Sequence, residues 1–597
     1  MRTQILRQIL CLLPLGRGTF THVTALSNYH PPIEKQSEQV SSRDLVAVLD
    51  AMGGRNAFEQ IESFTYVAKD IYRSSTLTQT YDLFALDQSV SSAGSQNVSF
   101  QILDDGLLTR IDRTYQYNEY WTWAFPDLSQ RVNMSVVIHD TADGFACVSH
   151  GSNNFFASNL SVAAGYTDPY LTDYLIHQAR QTALPWLLRH WMRNATTLKK
   201  GDFEDPHTLK RYTTFDDHHL NLSLLVDPES NIPRIIRAYE VHEVYGLSTS
   251  DLLLSEYRKV SSMEDPALVL PHRLQTVYNS EYLLEDFLLD DIVINPGIQA
   301  SFFDGQPAPA NPDDPSSNQG MSPERPAQSS QYPRSEVHEY FETGLWAGPF
   351  GESFNISDVV VEQLTPGFAN IMGIYVGYPD YVQMLVEHEN GFIITDAPAH
   401  RSKIILDWLA EQRPDKHITH VVPSHHHRDH AGGVRDYINA GATLVVPEVA
   451  KDFYCPLTSP CKMQTYDADG PLRLQDNVID FRSFWADANP HAKDWSFAVA
   501  SKAKANDTDI CILFNADVVN PGTDALRWDA GHGRTFLMNA VRASVPRKTV
   551  LLGAHGSTKN GTSTSQNLSE IAETIGFDYP ELTARHWAAS MGMYGGM

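Results

Sequence analysis

Ser424-His425-His426-His427-Arg428-Asp429-His430-Ala431-Gly432-Gly433 packs four histidines, an aspartate and a glycine pair into ten residues. It follows directly on His417–Pro423, an apolar, β-branched run that predicts a strand. It leads into Val434–Ala440, whose spacing is helical. Histidines placed where a strand ends are presented from a loop. Imidazoles at 425 and 427 can converge on one metal ion, while Asp429 and His430 can turn toward a second. Gly432-Gly433 permits a sharp turn and a close backbone approach. A histidine-rich run alone can be a solvated loop, so context must confirm the motif. His426 is the surplus imidazole and is expected to pack or hydrogen-bond nearby rather than to ligate.

The pattern H-x-H-x-D-H with its glycine pair resembles the metallo-β-lactamase superfamily, and the resemblance extends over most of residues 336–597. Three further features fall in that family's order. His491 precedes the strand-like run Ser496–Ala500, Asp517 follows the apolar run Cys511–Phe514, and His555 follows Val550–Ala554. Asp396 closes the run Phe392–Thr395, where the family carries a structural aspartate. The resemblance implies an αββα sandwich. It also implies one metal on His425, His427 and His491, a second on Asp429, His430 and His555, and Asp517 bridging both. Asp396 is expected to orient the histidine loop. Imidazole and carboxylate donors suit zinc, so two zinc ions per chain are expected, with iron as the alternative metal. The sequence departs from many members at His491-Ala492-Lys493-Asp494-Trp495, which replaces a Thr-Pro-Gly-like turn. Lys493 or Trp495 is therefore expected to shape the pocket. Aspartate rather than cysteine at 517 is closer to lactonase, thioesterase and phosphodiesterase relatives than to many zinc β-lactamases.

Outward from the motif, Tyr381–Glu387, Gly391–Asp396 and Ala442–Pro447 read as strands and Ser402–Gln412 as a helix, an alternation typical of a layered α/β domain. Residues 305–335 are rich in Pro, Ser, Gln and Asp, cannot bury a core face, and read as a linker. Before them, 26–304 is expected to be an α+β domain built mainly on an antiparallel sheet. Strand-like runs lie at Phe64–Tyr72, Tyr81–Leu86, Val98–Leu103, Leu108–Phe125, Val132–His139, Leu220–Val226, Ile235–Val244, Arg273–Asn279 and Glu281–Leu288. A helix capped by Ser41 and ended by Gly53-Gly54 opens the region. A longer helical stretch, Pro169–Met192, is divided by Pro185. Ala51–Gly54 and the turn Val226–Arg234 resemble the curved half-barrels of lipoprotein carriers. Asp216-Asp217-His218-His219 reads as a turn between strands, His420 as a core histidine, and His338, His400 and His586 as surface residues.

The formal net charge of −27 argues against nucleic acid or an anionic membrane as the main partner, because both demand a basic surface. No stretch after the N-terminus is long and apolar enough to span a bilayer. Arg2 and Arg7, the short apolar run Ile9–Leu15, and Val23 and Ala25 before a cleavage point fit a signal peptide over 1–25. Asn-x-Ser/Thr occurs at 97, 133, 159, 194, 221, 355, 506, 560 and 567, consistent with secretion. Cys455 and Cys461 are expected to form a local bridge in an oxidising compartment.

The expectation is a secreted hydrolase in which a metal-bound hydroxide, oriented by Asp429, attacks an ester, lactone, thioester or amide of a small-molecule substrate. The alternatives are a mononuclear-iron enzyme that oxidises sulfur compounds, a phosphodiesterase, and a non-catalytic binding protein. Substrate and oligomeric state are not legible in the sequence.

Overall fold

The computed structural model describes residues 38–75, 91–118, 132–150, 165–305, 356–519 and 530–590, apart from scattered positions within them, together with 334, 337 and 338. The leader expected over 1–25, the strand expected over Tyr81–Leu86, and the linker between Gly305 and Arg334 lie outside these residues.

Among the described residues the N-terminal part is one long antiparallel sheet whose strands pair chiefly with their sequence neighbours. Its apolar face closes over the helices Ser42–Ala51, Pro169–Thr182 and Leu184–Arg193. The chain breaks between the last two helices at Ala183, and Pro185 sits in the first turn of the second, where its missing N–H costs nothing. The hairpin expected near 226–234 joins Leu222–Val226 to Pro233–His242, with Asp227 accepting from the backbone N–H groups of Glu229 and Ser230. Gly246–Lys259 was not expected as a strand, because its apolar pattern is broken by polar residues. One of these, Asp251, lies opposite Arg237, and the two are buried as a bidentate pair at 2.7 and 2.8 Å. Asp216 and Asp217 serve the turn after Arg211–Asp217: Asp217 accepts from the N–H groups of His219 and Leu220 and from Trp191 Nε1, and Asp216 accepts from Ser223.

His338 is corrected from surface to buried. It pairs with the Tyr174 hydroxyl at 2.9 Å, and its neighbour Val337 joins the N-terminal core, across the boundary expected at 336. His420 is half-buried rather than in the core, with Nδ1 2.9 Å from the Thr419 hydroxyl.

His177 is fully enclosed beneath the sheet, and burial, helped by Arg334 and Arg180, pushes its imidazole well below the ordinary value. The native state therefore holds it neutral, while the unfolded chain takes up a proton below about 6.5. Its contribution is complete above that pH and is lost as pH falls through it, at up to about 1.4 kcal/mol per unit. Unfolding midpoints from pH 7.5 to 5 should show the parent losing stability relative to His177→Leu. A constant difference would contradict the buried neutral state.

The C-terminal part is a four-layer sandwich. One sheet runs Val360–Thr365, Phe368–Tyr375, Val382–His388, Gly391–Thr395, Ile418–Val422, Thr443–Pro447 and Gln464–Tyr466, antiparallel at first and parallel from Gly391 onward. The other runs Leu472–Gln475, Ile479–Trp485, Ser496–Lys502, Ile512–Asn515, Val550–Gly553 and Gln566–Asn567. Their facing sides interleave Val382, Met384, Ile393 and Val422 with Phe481, Ala500, Phe514 and Leu552. The outer faces are covered on one side by Ser402–Gln412 and Val434–Asn439, and on the other by Ala530–Arg542, Leu568–Ile575 and Ala584–Ala589. This is the αββα architecture expected.

A disulfide joins Cys455 to Cys461, and Cys147 and Cys511 are buried thiols. The sequon residue Asn567 caps the helix Leu568–Ile575 with its own side chain. Asn560 and His400 lie outside the described residues, and His586 is exposed and caps its own short helix.

Candidate metal centre

Parallel strands bring their C-terminal ends to one edge of the sandwich, and loops leaving that edge carry the candidate ligands. Ile418–Val422 feeds the loop with His425 and His427, followed by a single helical turn, Arg428–Ala431, that carries Asp429 and His430. Ile512–Asn515 ends two residues before Asp517, and Val550–Gly553 ends two before His555. His491 comes from the loop before Ser496–Lys502. Asp396 and Asp517, each just past a strand, have positive φ of 56° and 62°. Aspartate tolerates this left-handed conformation better than most residues, and such strain persists where surrounding contacts over-determine it.

All seven expected side chains converge. Ligand atoms of His425, His427, His491 and Asp517 form one group, and those of Asp429, His430, Asp517 and His555 form a second, each group spanning no more than 4.8 Å. Asp517 belongs to both. Its Oδ2 lies 2.8 Å from His430 Nε2, 3.2 Å from His491 Nε2 and 3.3 Å from His425 Nε2, while Oδ1 lies 3.2 Å from His555 Nε2. Asp429 Oδ2 is 3.1 Å from both His430 Nε2 and His555 Nε2.

Contacts behind the cluster aim these atoms inward. Asp396, fully buried, accepts from the Ser424 N–H through Oδ1 at 2.6 Å and holds His430 Nδ1 through Oδ2 at 2.7 Å. With Nδ1 committed to Asp396, His430 Nε2 is turned toward the two carboxylates, where its lone pair would serve a bound metal ion, and this buried atom makes no well-formed hydrogen bond. The Tyr381 hydroxyl, buried, donates to the Asp429 carbonyl at 2.6 Å, and Tyr381 forms an isolated β-bridge with His555. Trp495 does not line a pocket. It lies fully buried under the cluster, and its Nε1–H donates to the carbonyl of Ala516, next to Asp517. His426 pairs with buried Asp494 at 2.9 Å. The Lys493 carbonyl accepts from Trp485 Nε1. The unusual 492–495 segment thus supports the two ligand loops from behind.

Gly433 confirms the expected close approach. Its N–H donates to the Ala397 carbonyl at 2.7 Å, and a Cβ there would come within 2.8 Å of the Pro398 carbonyl and meet Ser402 Oγ. Gly433→Ala should destabilise the C-terminal domain by about 1–3 kcal/mol, the usual overpacking cost. Denaturant unfolding checks this, and an unchanged midpoint would contradict it.

The electrostatics suit a bound cation. Burial, reinforced by neighbouring imidazoles, pushes His425 and His427 well below the ordinary value, so both are neutral and offer lone pairs. Burial alone would raise Asp517 and Asp429, but His430 and His555 hold both carboxyls well below the usual range. Burial likewise opposes charge on His430, yet Asp429, Asp517 and Asp396 together raise it well above the ordinary value. Three carboxylates around one imidazole, with further neutral imidazoles beside them, form a set that divalent ions fit.

Sequence reasoning missed Tyr381, Ser424 and Asp494. It also missed His532, at the start of Ala530–Arg542, whose imidazole is pushed down to about 4 by burial and then by His491. None of these belongs to a ligand motif, and only the folded chain brings them to the site.

Fold and site together define an αββα sandwich with a candidate metal-binding cluster of histidines and aspartates. Residues 382–493 match the model of the Metallo-beta-lactamase superfamily, and the C-terminal part of the chain holds a domain of that superfamily. A search of curated proteins found no match. Among solved structures, a B3 metallo-beta-lactamase described as having an active-site glutamic acid is 17% identical, covering 36% of this chain and 90% of its own, with a TM-score of 0.27. A metallo-beta-lactamase from Pontibacter korlensis is 15% identical, with 36% and 97% coverage and a TM-score of 0.26. The subclass B3 enzyme BJP-1 of Bradyrhizobium japonicum is 17% identical, with 36% and 88% coverage and a TM-score of 0.25. These scores are too low to bear on function.

Proposed function

We propose that this chain is a metal-dependent hydrolase with two zinc ions per chain, acting on an ester, lactone, thioester or amide of a small molecule. The observation that carries the reading is the pair of four-residue donor groups sharing Asp517. Two divalent ions held there would supply a water that ionises near neutral pH and a Lewis-acid grip on the scissile carbonyl oxygen. The chain's own residues do the positioning. His425, His427 and His491 orient one half, and Asp429, His430 and His555 the other. Asp429 is half-buried, and its second oxygen is assigned to the proton of the attacking water.

A secretory route fits the Cys455–Cys461 bridge, the sequons and the N-terminal pattern. Among the described residues no helix is long and apolar enough to cross a membrane.

The test is a substrate panel of an aryl ester, a thioester, a lactone, an anilide and a small phosphodiester, run with and without chelator. Turnover of a carbonyl substrate, abolished by chelation and restored by zinc, is expected. Turnover of the phosphodiester alone would move the reading to a phosphodiesterase. No turnover of any carbonyl compound by zinc-loaded protein would contradict it.

A further inference from the structure

We propose that the N-terminal sheet is a working part of the metal centre, with Phe453 as the positioning residue that joins them. This rests on reading the histidine–aspartate cluster as a metal site. His426 is buried between ligands His425 and His427 and points away from them to Asp494, itself three residues after His491. The Ser496 N–H also donates to the Ser424 carbonyl, at 2.7 Å. The His426–Asp494 pair is therefore a clasp between the two loops that carry one metal's three histidines. The second metal's own ligands are held by different contacts: His430 by Asp396, the Asp429 carbonyl by the Tyr381 hydroxyl, and His555 by its β-bridge to Tyr381.

Phe453 meets the clasp edge-on, with its ring centroid 5.6 Å from that of His426 at 70°. It stands on the short helix Lys451–Tyr454, in a segment closed by the Cys455–Cys461 bridge immediately after it. Its other contacts lie across the molecule. Phe453 packs against the small cluster formed by Tyr278 and Leu284, buried residues of the N-terminal strands Val269–Tyr278 and Tyr282–Leu288. Phe453 also packs on the core beneath the helices Ser402–Gln412 and Val434–Asn439. One half-buried side chain thus touches the N-terminal sheet, the C-terminal core and the clasp. A ring packed this way restricts the His426 rotamer, and with it the hydrogen bond to Asp494. Direct hydrogen-bonding partners of a metal ligand typically set affinity by about 10–100-fold, and a contact one step further out should act at the lower end of that range.

The experiment uses the full-length, zinc-loaded parent with Phe453→Ala, Leu284→Ala and Leu284→Met. Each is titrated with a chelator while retained zinc is counted by elemental mass spectrometry. Leu284→Ala removes the sheet's side of the contact without touching a ligand loop, and Leu284→Met conserves volume. The parent should lose two zinc ions in two steps. Phe453→Ala should release one of them at about tenfold lower chelator and leave the other unchanged. Leu284→Ala should move the same step less far, and Leu284→Met should restore it. Equal weakening of both steps would make Phe453 a packing residue only, and unchanged release in both alanine variants would overturn the coupling outright. If Phe453→Ala fails to fold, the Leu284 pair decides alone. A parent that binds two zinc ions with indifferent variants defeats this inference only, whereas a parent that binds none defeats the reading of the site as well.

Discussion

Asp517→Asn should cost the protein both halves of its centre at once. The carboxylate reaches His425, His430 and His491 with one oxygen and His555 with the other, and among the described residues it is the one member shared by both ligand groups. Asparagine tolerates the positive φ at this position, whereas alanine would add strain. The Ala516 carbonyl would still accept from Trp495 Nε1, and Asn515 would still tie down the loop through Val519. The fold should therefore survive, and the effect is read as lost bridging charge. Losing one supporting partner of a metal ligand costs about 10–100-fold, so losing the shared ligand should lower zinc-dependent hydrolysis by more than about 100-fold. Bound zinc should fall to at most one per chain. Two zinc ions retained at parental affinity would show that Asp517 does not bridge.

The second large effect is expected at Asp396, which touches no metal. Its two oxygens hold the Ser424 N–H and His430 Nδ1, one at each end of the ligand loop. Asp396→Asn keeps an acceptor for Ser424 but turns an N–H toward His430 Nδ1. The imidazole then favours the tautomer with its proton on Nε2, which removes the lone pair from the centre. Zinc at the Asp429–His430–His555 half should weaken by about 10–100-fold, with the protein still folded. Asp396→Ala goes further. It strands a buried N–H and a buried imidazole, and denaturant unfolding should show a loss of about 3 kcal/mol or more. Parental zinc affinity in the asparagine variant would contradict the orienting role.

The C-terminal sandwich was legible because its parallel strands are short, apolar and buried on both faces. Periodicity and turn residues then bound each one, as at Ile512–Asn515 and Val550–Gly553. Its candidate ligands were legible because four share the H-x-H-x-D-H spacing after one strand, while Asp517 and His555 each stand two residues past a strand end and His491 five before one. The N-terminal sheet was legible only in part. Gly246–Lys259 buries Asp251 against Arg237, and a buried ion pair looks polar in sequence although it behaves as core in the fold. His338 was misread for a related reason: its burial depends on Tyr174, 164 residues away. The residues that aim the ligands, Tyr381, Asp494 and Trp495, have no local signature, because their role comes from contacts between loops of different strands. His426 was expected to hydrogen-bond rather than to ligate, but its partner could not be named before the loops were placed together.

Seven side chains grouped around Asp517 are proposed to hold two metal ions. The most direct measurement is the metal content of the purified full-length protein by elemental mass spectrometry, beside His427→Ala. About two zinc ions per chain are expected in the parent, with a clear loss in the variant. One iron per chain would replace the hydrolase with an oxidative enzyme. A parent protein that holds no metal even after zinc is supplied would contradict the account and leave a binding protein on this fold.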